Sequence, residues 1–300
     1  MHNTFRAIVA AVVIVGVQGC ALKRAGFERM ADAISATASA FARDSDPEFV
    51  RAGVPSTLKM VEMLLDEDPR HPGLLLTACS GFTQYAYAFL QVDAELLQPS
   101  EAAAARELTD RAARMYDRAR GYCVRRLDVS VPGAGAALSA GKADVLLTFR
   151  KDDVGPLYWT AVSWGGSVSL SQNPLLRIGE LAAIRGLLRR ALELDPAWGS
   201  GAIHEAMIAL EGLPAIAGGS AARARSHFEQ AVALSEGQSA FAYVSLATSV
   251  AQPAQDRAEF ERLLKAALAI DVDERPALRL SNLIAQKRAR FLLGRSGQLF

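Results

Sequence analysis

An all-α fold, built as a solenoid of helical hairpins, is what this chain of 300 residues predicts. Three observations carry the expectation. Ala, Leu and Arg recur at helical spacing, and no convincing period-two alternation marks a strand. Turn residues punctuate the chain at DSDPEF, DEDPRHPG, QPS, VPGAG, SQNP, LDPAWGSG, LPAIAGG, SEGQ, AQPAQ and DVDERP. One helical segment also returns: LRRALELD from Leu188, FEQAVALS from Phe228 and LKAALAID from Leu264 share their apolar positions, at spacings of 40 and 36 residues. That is close to the length of a tetratricopeptide (TPR) unit, whose second helix carries a small residue, a large one four on, an Ala three after that, and a Pro past its end. Ala224, Phe228 and Ala231 follow this order, as do Leu188, Ala191 and Pro196. The small residues let paired helices approach, and the larger one fills the groove between pairs.

The N-terminal segment is of another kind. MHNTFRAIVAAVVIVGVQGC places Arg6 before an uncharged run from Ala7 to Val17, followed by Gly19 and Cys20. The run is too short to span a bilayer and has the order of a secretory signal. Val17-Gln18-Gly19-Cys20 resembles a bacterial lipobox, with Gln18 its unusual member. Residues 1–20 are therefore read as a lipoprotein-type signal peptide and Cys20 as the lipidated residue, tethering the mature chain to a membrane surface; a plain secretory cleavage nearby is the alternative that Gln18 leaves open. Ala21, with no Asp in its place, favours sorting to the outer membrane. Export puts Cys79 and Cys123 in an oxidising space, where they pair if their helices are neighbours or stay as two buried thiols. Neither lies in a CxxC motif or near a His.

Residues 21–300 are expected to form a single TPR-like α-helical domain. Ala112, Tyr116 and Ala119 repeat the same order early in the chain, and VEMLLDEDP (Val61 to Pro69) resembles the end of such a helix. The early spacing is irregular, so the repeats are divergent, with insertions. At 51% hydrophobic, the chain can bury a large core. Its 33 basic and 32 acidic residues give a net charge of +1, which leaves no clustered cationic surface for nucleic acid.

Between Val131 and Pro174 the pattern changes to a Gly- and Pro-containing stretch with Tyr158, Trp159 and Trp164. A helix starting after Pro156 would place Tyr158, Ala161, Val162 and Gly165 near one face, and Gly165 and Gly166 would let a backbone or ligand come close. Tyr158, Trp159 and Trp164, with Trp198 and His204, are the ligand or pore candidates. The His204-Glu205 pair raises the question of a metal. A zinc-protease helix needs a second His one turn on, and that position is Ile208, so no metal site, and no cofactor, is expected. Ser163 and Ser167 have neither a GxSxG setting nor a His close in sequence, so no catalytic residue and no enzyme is expected.

LYWTAVSWGGSVSLSQNP, the stretch from RRALELDP to VALSEGQ, QDRAEFERLLKAALAID and the terminal NLIAQKRARFLLGRSGQLF, in this order, resemble the TatT family, the T component of TRAP transporters. The likeness is good over Leu157 to Phe300 and looser before that. It implies a periplasmic lipoprotein of TPR-like helices, a homotrimer around hydrophobic pores, and association with the transporter's substrate-binding protein, without catalysis. Carried over, Tyr158, Trp159 and Trp164 match the family's aromatic helix. His204, Glu205, Pro214, Gly218 and Gly219 match its next motif, where the His-Glu pair orients the helix and the glycines reverse the chain before Ser220, a good N-cap. The implied function is thus a lipid-anchored, periplasmic partner of a TRAP system that binds the substrate-binding protein and a small hydrophobic ligand. The alternative is a general TPR-like envelope scaffold that recruits a protein or peptide.

Overall fold

The computed structural model describes residues 38–300 without a break, preceded by residues 26, 29–31, 33 and 34. The signal peptide expected over residues 1–20, with Cys20, lies outside the described residues. Every described element is helical, and no strand occurs among them. The long helices are α1 (Pro47–Glu67), α2 (Pro72–Tyr85), α3 (Ala102–Ser130), α4 (Val154–Ser169), α5 (Leu181–Leu194), α6 (Ala202–Glu211), α7 (Ala221–Leu234), α8 (Ala240–Leu246), α9 (Arg257–Ala269) and α10 (Arg279–Gly294). α2 runs on through a π-helical turn, Ala86–Gln91, into Val92–Leu97, and α8 runs on through a second, Ala247–Ala251.

Each turn has a local cause. Asp46, Ser220 and Asp256 cap α1, α7 and α9 by accepting backbone N–H groups of the first turn, which have no partner within the helix. His71 caps α2 through its imidazole, with Pro72 at the first helical position. α4 begins at Val154, two residues ahead of Pro156; proline is tolerated in a first turn, whose N–H groups are unpaired anyway, so it does not mark the start.

The hairpins α2–α3, α4–α5, α6–α7 and α8–α9 stack in sequence, with α1 and α10 at the two ends. The positions that the repeat equates confirm this organisation. Ala191 in α5, Ala231 in α7 and Ala267 in α9 are each 0% exposed, so the closest helix approach falls on the same residue of each unit. A side chain larger than a methyl group there would have to displace a neighbouring rod. Gly201, with φ +97°, marks one such approach, because a Cβ on it would come within 3.2 Å of the Ala231 Cα.

The stack closes on itself. α10 packs against the Ala38–Ala42 helix, α1 and Val92–Leu97, and Ile284 of α10 belongs to the N-terminal core with Leu58, Leu74 and Phe89. Lys287 pairs with Asp93 at 3.1 Å, and Arg288 grips Glu95 with two hydrogen bonds of 2.6 and 3.1 Å. Arg51 of α1 reaches the same Asp93 at 2.6 Å. First and last elements are therefore joined by apolar contact and by charge.

Candidate functional site

A cavity of about 340 Å³ lies inside this closed stack. Its wall draws on α1, α2 and every second helix after it: Thr83 and Gln84 from α2, Trp159 and Val162 from α4, Glu205 from α6, Phe241 from α8, Leu280 and Ile284 from α10. Of those helices, α2, α4, α6 and α8 are the first members of their hairpins, while no residue of α5, α7 or α9 lines the cavity. Aromatic rings dominate. Tyr85 closes α2 and Tyr87 and Phe89 arrive from the π turn that follows it, and Tyr87 meets Phe241 edge-on at 5.5 Å, bridging the two halves of the stack. π-helical turns often fall at functional sites.

Two close approaches shape the wall. A Cβ on Gly81 would lie 2.7 Å from Leu58, and one on Gly166 would lie within 2.6 Å of the Tyr116 ring. Gly166 thus lets α4 lie flat on Tyr116, whose hydroxyl donates to Gln91 at 2.7 Å. Gly165 has open space where a Cβ would be.

The sequence candidates fall into separate groups. Tyr158 and Trp159 line the cavity, their rings edge-on at 4.9 Å. Trp198 stands behind Tyr158 at 4.8 Å and does not line it. Trp164 is 2% exposed on the opposite face of α4, where its indole N–H donates to Glu180 and the Arg120 guanidinium lies 3.9 Å over its ring. The helical period explains the split, since Trp159 and Trp164 are five residues apart and so point to different faces. Of the expected α4 face, Tyr158 and Val162 reach the cavity, and Ala161 turns into the core.

His204 and Glu205 also separate. His204 leaves the cavity and meets His227 of α7, Nδ1 to Nδ1 at 2.9 Å. Burial, then the neighbouring His227, push its pKa down to about 4, against a hydrogen bond to the Pro196 backbone. Glu205 stands half-buried on the cavity wall, accepting a hydrogen bond from the Ser239 hydroxyl. Burial pushes its carboxyl up to about 7, with the Ser239 bond pulling the other way. Among the described residues no group of three or more His, Cys, Asp or Glu side chains could hold a metal. Gly218 adopts φ +81° and Gly219 passes against the Leu213 backbone with no room for a Cβ, so the chain reverses after Pro214 and Ser220 caps α7.

Cys79 of α2 and Cys123 of α3 are joined by a disulfide. Ser163 is buried and donates to the Thr160 carbonyl, and Ser167 donates to Asp117. No helix among the described residues is long and apolar enough to cross a membrane.

Comparison with known proteins meets this geometry at one point. The family described as TRAP transporter T-component matches residues 43–300, the whole hairpin stack with α1 and α10. The chain belongs to that family. As a T-component, it is a member of a transporter-associated family. It is also similar to an uncharacterized protein of Treponema pallidum (strain Nichols), 27% identical over 293 residues and 91% of each chain. Sequence reasoning missed the part of the T-component cavity supplied by Tyr85, Tyr87, Phe89 and Phe241. The available signal was YAYAF, three aromatics at alternate positions of an otherwise Ala-rich helix.

Proposed function

We propose that this T-component is a lipid-anchored, periplasmic, non-enzymatic partner of a TRAP-type uptake system, held at the outer membrane through Cys20. It engages the transporter's substrate-binding protein as a homotrimer and takes a small hydrophobic ligand into the cavity between α2, α4, α6, α8 and α10. The observation that carries the reading is the cavity itself. A peptide-clamping scaffold needs a groove rich in Asn, Lys and Arg, whereas this wall is aromatic and aliphatic, with Tyr158 and Trp159 on it. Family membership supports the association with a TRAP system. The Ser163 and Ser167 hydroxyls are engaged with the Thr160 carbonyl and Asp117, which supports a binding role over a catalytic one.

The test uses the chain purified without residues 1–20 and the substrate-binding protein of a TRAP system from the same organism. A trimer in sedimentation that also binds this protein in calorimetry is the expected result. A monodisperse monomer that shows no heat of binding would overturn the reading.

A further inference from the structure

The cavity has one charged group and no charge to meet it. Among the described residues of its wall, Glu205 is the only acid, and none is Arg, Lys or His. The groups that face Glu205 are the Ser239 hydroxyl from the start of α8, Tyr158 of α4 and Tyr87 of the π turn after α2. The one base acting on this cluster is Arg288 of α10. It acts on Tyr87 and is itself bound to Glu95. His204, next in sequence, is turned away to His227. The buried Tyr87 hydroxyl reaches no acceptor in hydrogen-bonding geometry, and on its outer side its oxygen interacts with the Arg288 guanidinium. A carboxylate in an apolar setting is costly unless a cation reaches it, and aromatic faces attract cations as well.

We propose that the cavity takes a small organic ammonium, an aromatic or aliphatic body bearing one protonated amine, with the Glu205 carboxylate as counter-ion and the Tyr87 hydroxyl and surrounding rings completing the site. This rests on the ligand half of the proposed function. An organic acid of the same shape would bring a second negative group to Glu205 and is rejected on that ground. The volume, 340 Å³, sits at the small end of ligand sites, which suits a body of one ring and a short chain.

Three probes with one phenylethyl body separate charge from shape: phenethylamine, 2-phenylethanol and 3-phenylpropionate, each titrated calorimetrically into the full mature chain. The amine is expected to bind about tenfold more tightly than the alcohol, and the acid more weakly than either. Glu205→Gln should abolish the preference for the amine and leave the alcohol's affinity within about twofold. With the Glu205 carboxyl held near about 7, amine affinity should rise about tenfold from pH 6 to pH 8 in the wild type and stay flat in the variant. Equal affinity for amine and alcohol, tighter binding of the acid, or an unchanged preference in Glu205→Gln would each overturn the proposal while leaving an apolar ligand site standing. Failure of all three probes would overturn both the ammonium and the ligand half of the proposed function. Capture of the substrate-binding protein would be unaffected by that result.

Discussion

The two halves of the stack are built from the same hairpins and differ in how regularly those hairpins repeat. From α5 to α9 the units are regular, with Ala191, Ala231 and Ala267 at equivalent close approaches, and polar side chains cross between helices. Glu211, 1% exposed at the end of α6, accepts from Arg185 of α5 and Arg223 of α7. Asn282 of α10 accepts from the Ala240 N–H and donates to the Gln238 carbonyl, fixing the start of α8. From α1 to α4 the regularity fails. A disulfide ties α2 to α3, the spacing between units is irregular, and the YAYAF rings follow α2. The difference teaches where the function sits. The regular half gives the cavity few side chains from each inner helix, Glu205 from α6 and Phe241 from α8, whereas the irregular half supplies most of its wall. A repeat that packs perfectly leaves no hole, so the cavity exists where the repeat is broken.

The largest expected effect breaks the regular half at its buried acid. Glu211→Ala leaves the Arg185 and Arg223 guanidinium groups without their shared carboxylate and should cost about 3–5 kcal/mol in urea unfolding, because removing one partner of a buried ion pair strands the other. A loss under about 1 kcal/mol would mean that Ala packing alone holds these hairpins.

Next comes the irregular half. Replacing Cys79 and Cys123 together by Ser opens a link between residues 44 apart and should lower stability by about 2–4 kcal/mol, read by thermal unfolding under non-reducing conditions. Reduction of the wild type should reproduce the shift. If neither changes the midpoint, the rings around the cavity hold α2 and α3 together without the bond.

A smaller effect is expected within the irregular half, where α4 meets α3. Gly166→Ala drives a methyl group into the Tyr116 ring and should cost about 1–3 kcal/mol by overpacking, whereas Gly165→Ala, with open space at its Cβ, should be neutral or slightly stabilising in the helix. Equal effects at the two positions would refute the close approach of α4 to Tyr116.

The smallest effect separates His204 from Glu205 by pH. His204 has its folded pKa depressed to about 4, below the ordinary 6.5, so the unfolded chain takes up a proton first and stability falls as pH drops from 6.5 towards 4. Glu205 is raised to about 7 from 4.5, so its contribution is full below 4.5 and is lost as pH rises towards 7. Between pH 4.5 and 6.5 the two oppose each other. Glu205→Gln should therefore make stability rise more steeply with pH in that window, by up to about 1 kcal/mol per pH unit over the wild type. Superimposable pH profiles would show that Glu205 is not held neutral by its surroundings.

The fold was largely legible because its signals are local. Each turn cluster in the sequence, from DSDPEF to DVDERP, falls at a helix end, and the Ala positions of the three related segments are buried as the repeat requires. The helix around Trp159 was legible as a helix, but its start was not, since Pro156 fits a first turn from either side of it. The site was harder to read, because a cavity is defined by what helices distant in sequence leave unfilled. Tyr87 and Phe241 meet across 154 positions, and nothing local to either marks the contact. His204 and Glu205 are adjacent in sequence, yet one helical step sends the first to His227 and the second to the cavity.

The cavity is tested most directly by filling it. Val162 lies on its wall, so Val162→Trp places a large side chain in the space. Calorimetric titration of 2-phenylethanol into both proteins is the measurement. The expected result is binding to the wild type and at least tenfold weaker binding to the variant, with an unfolding midpoint near that of the wild type. Binding that survives unchanged in the folded variant, or that is absent from the wild type, would contradict it.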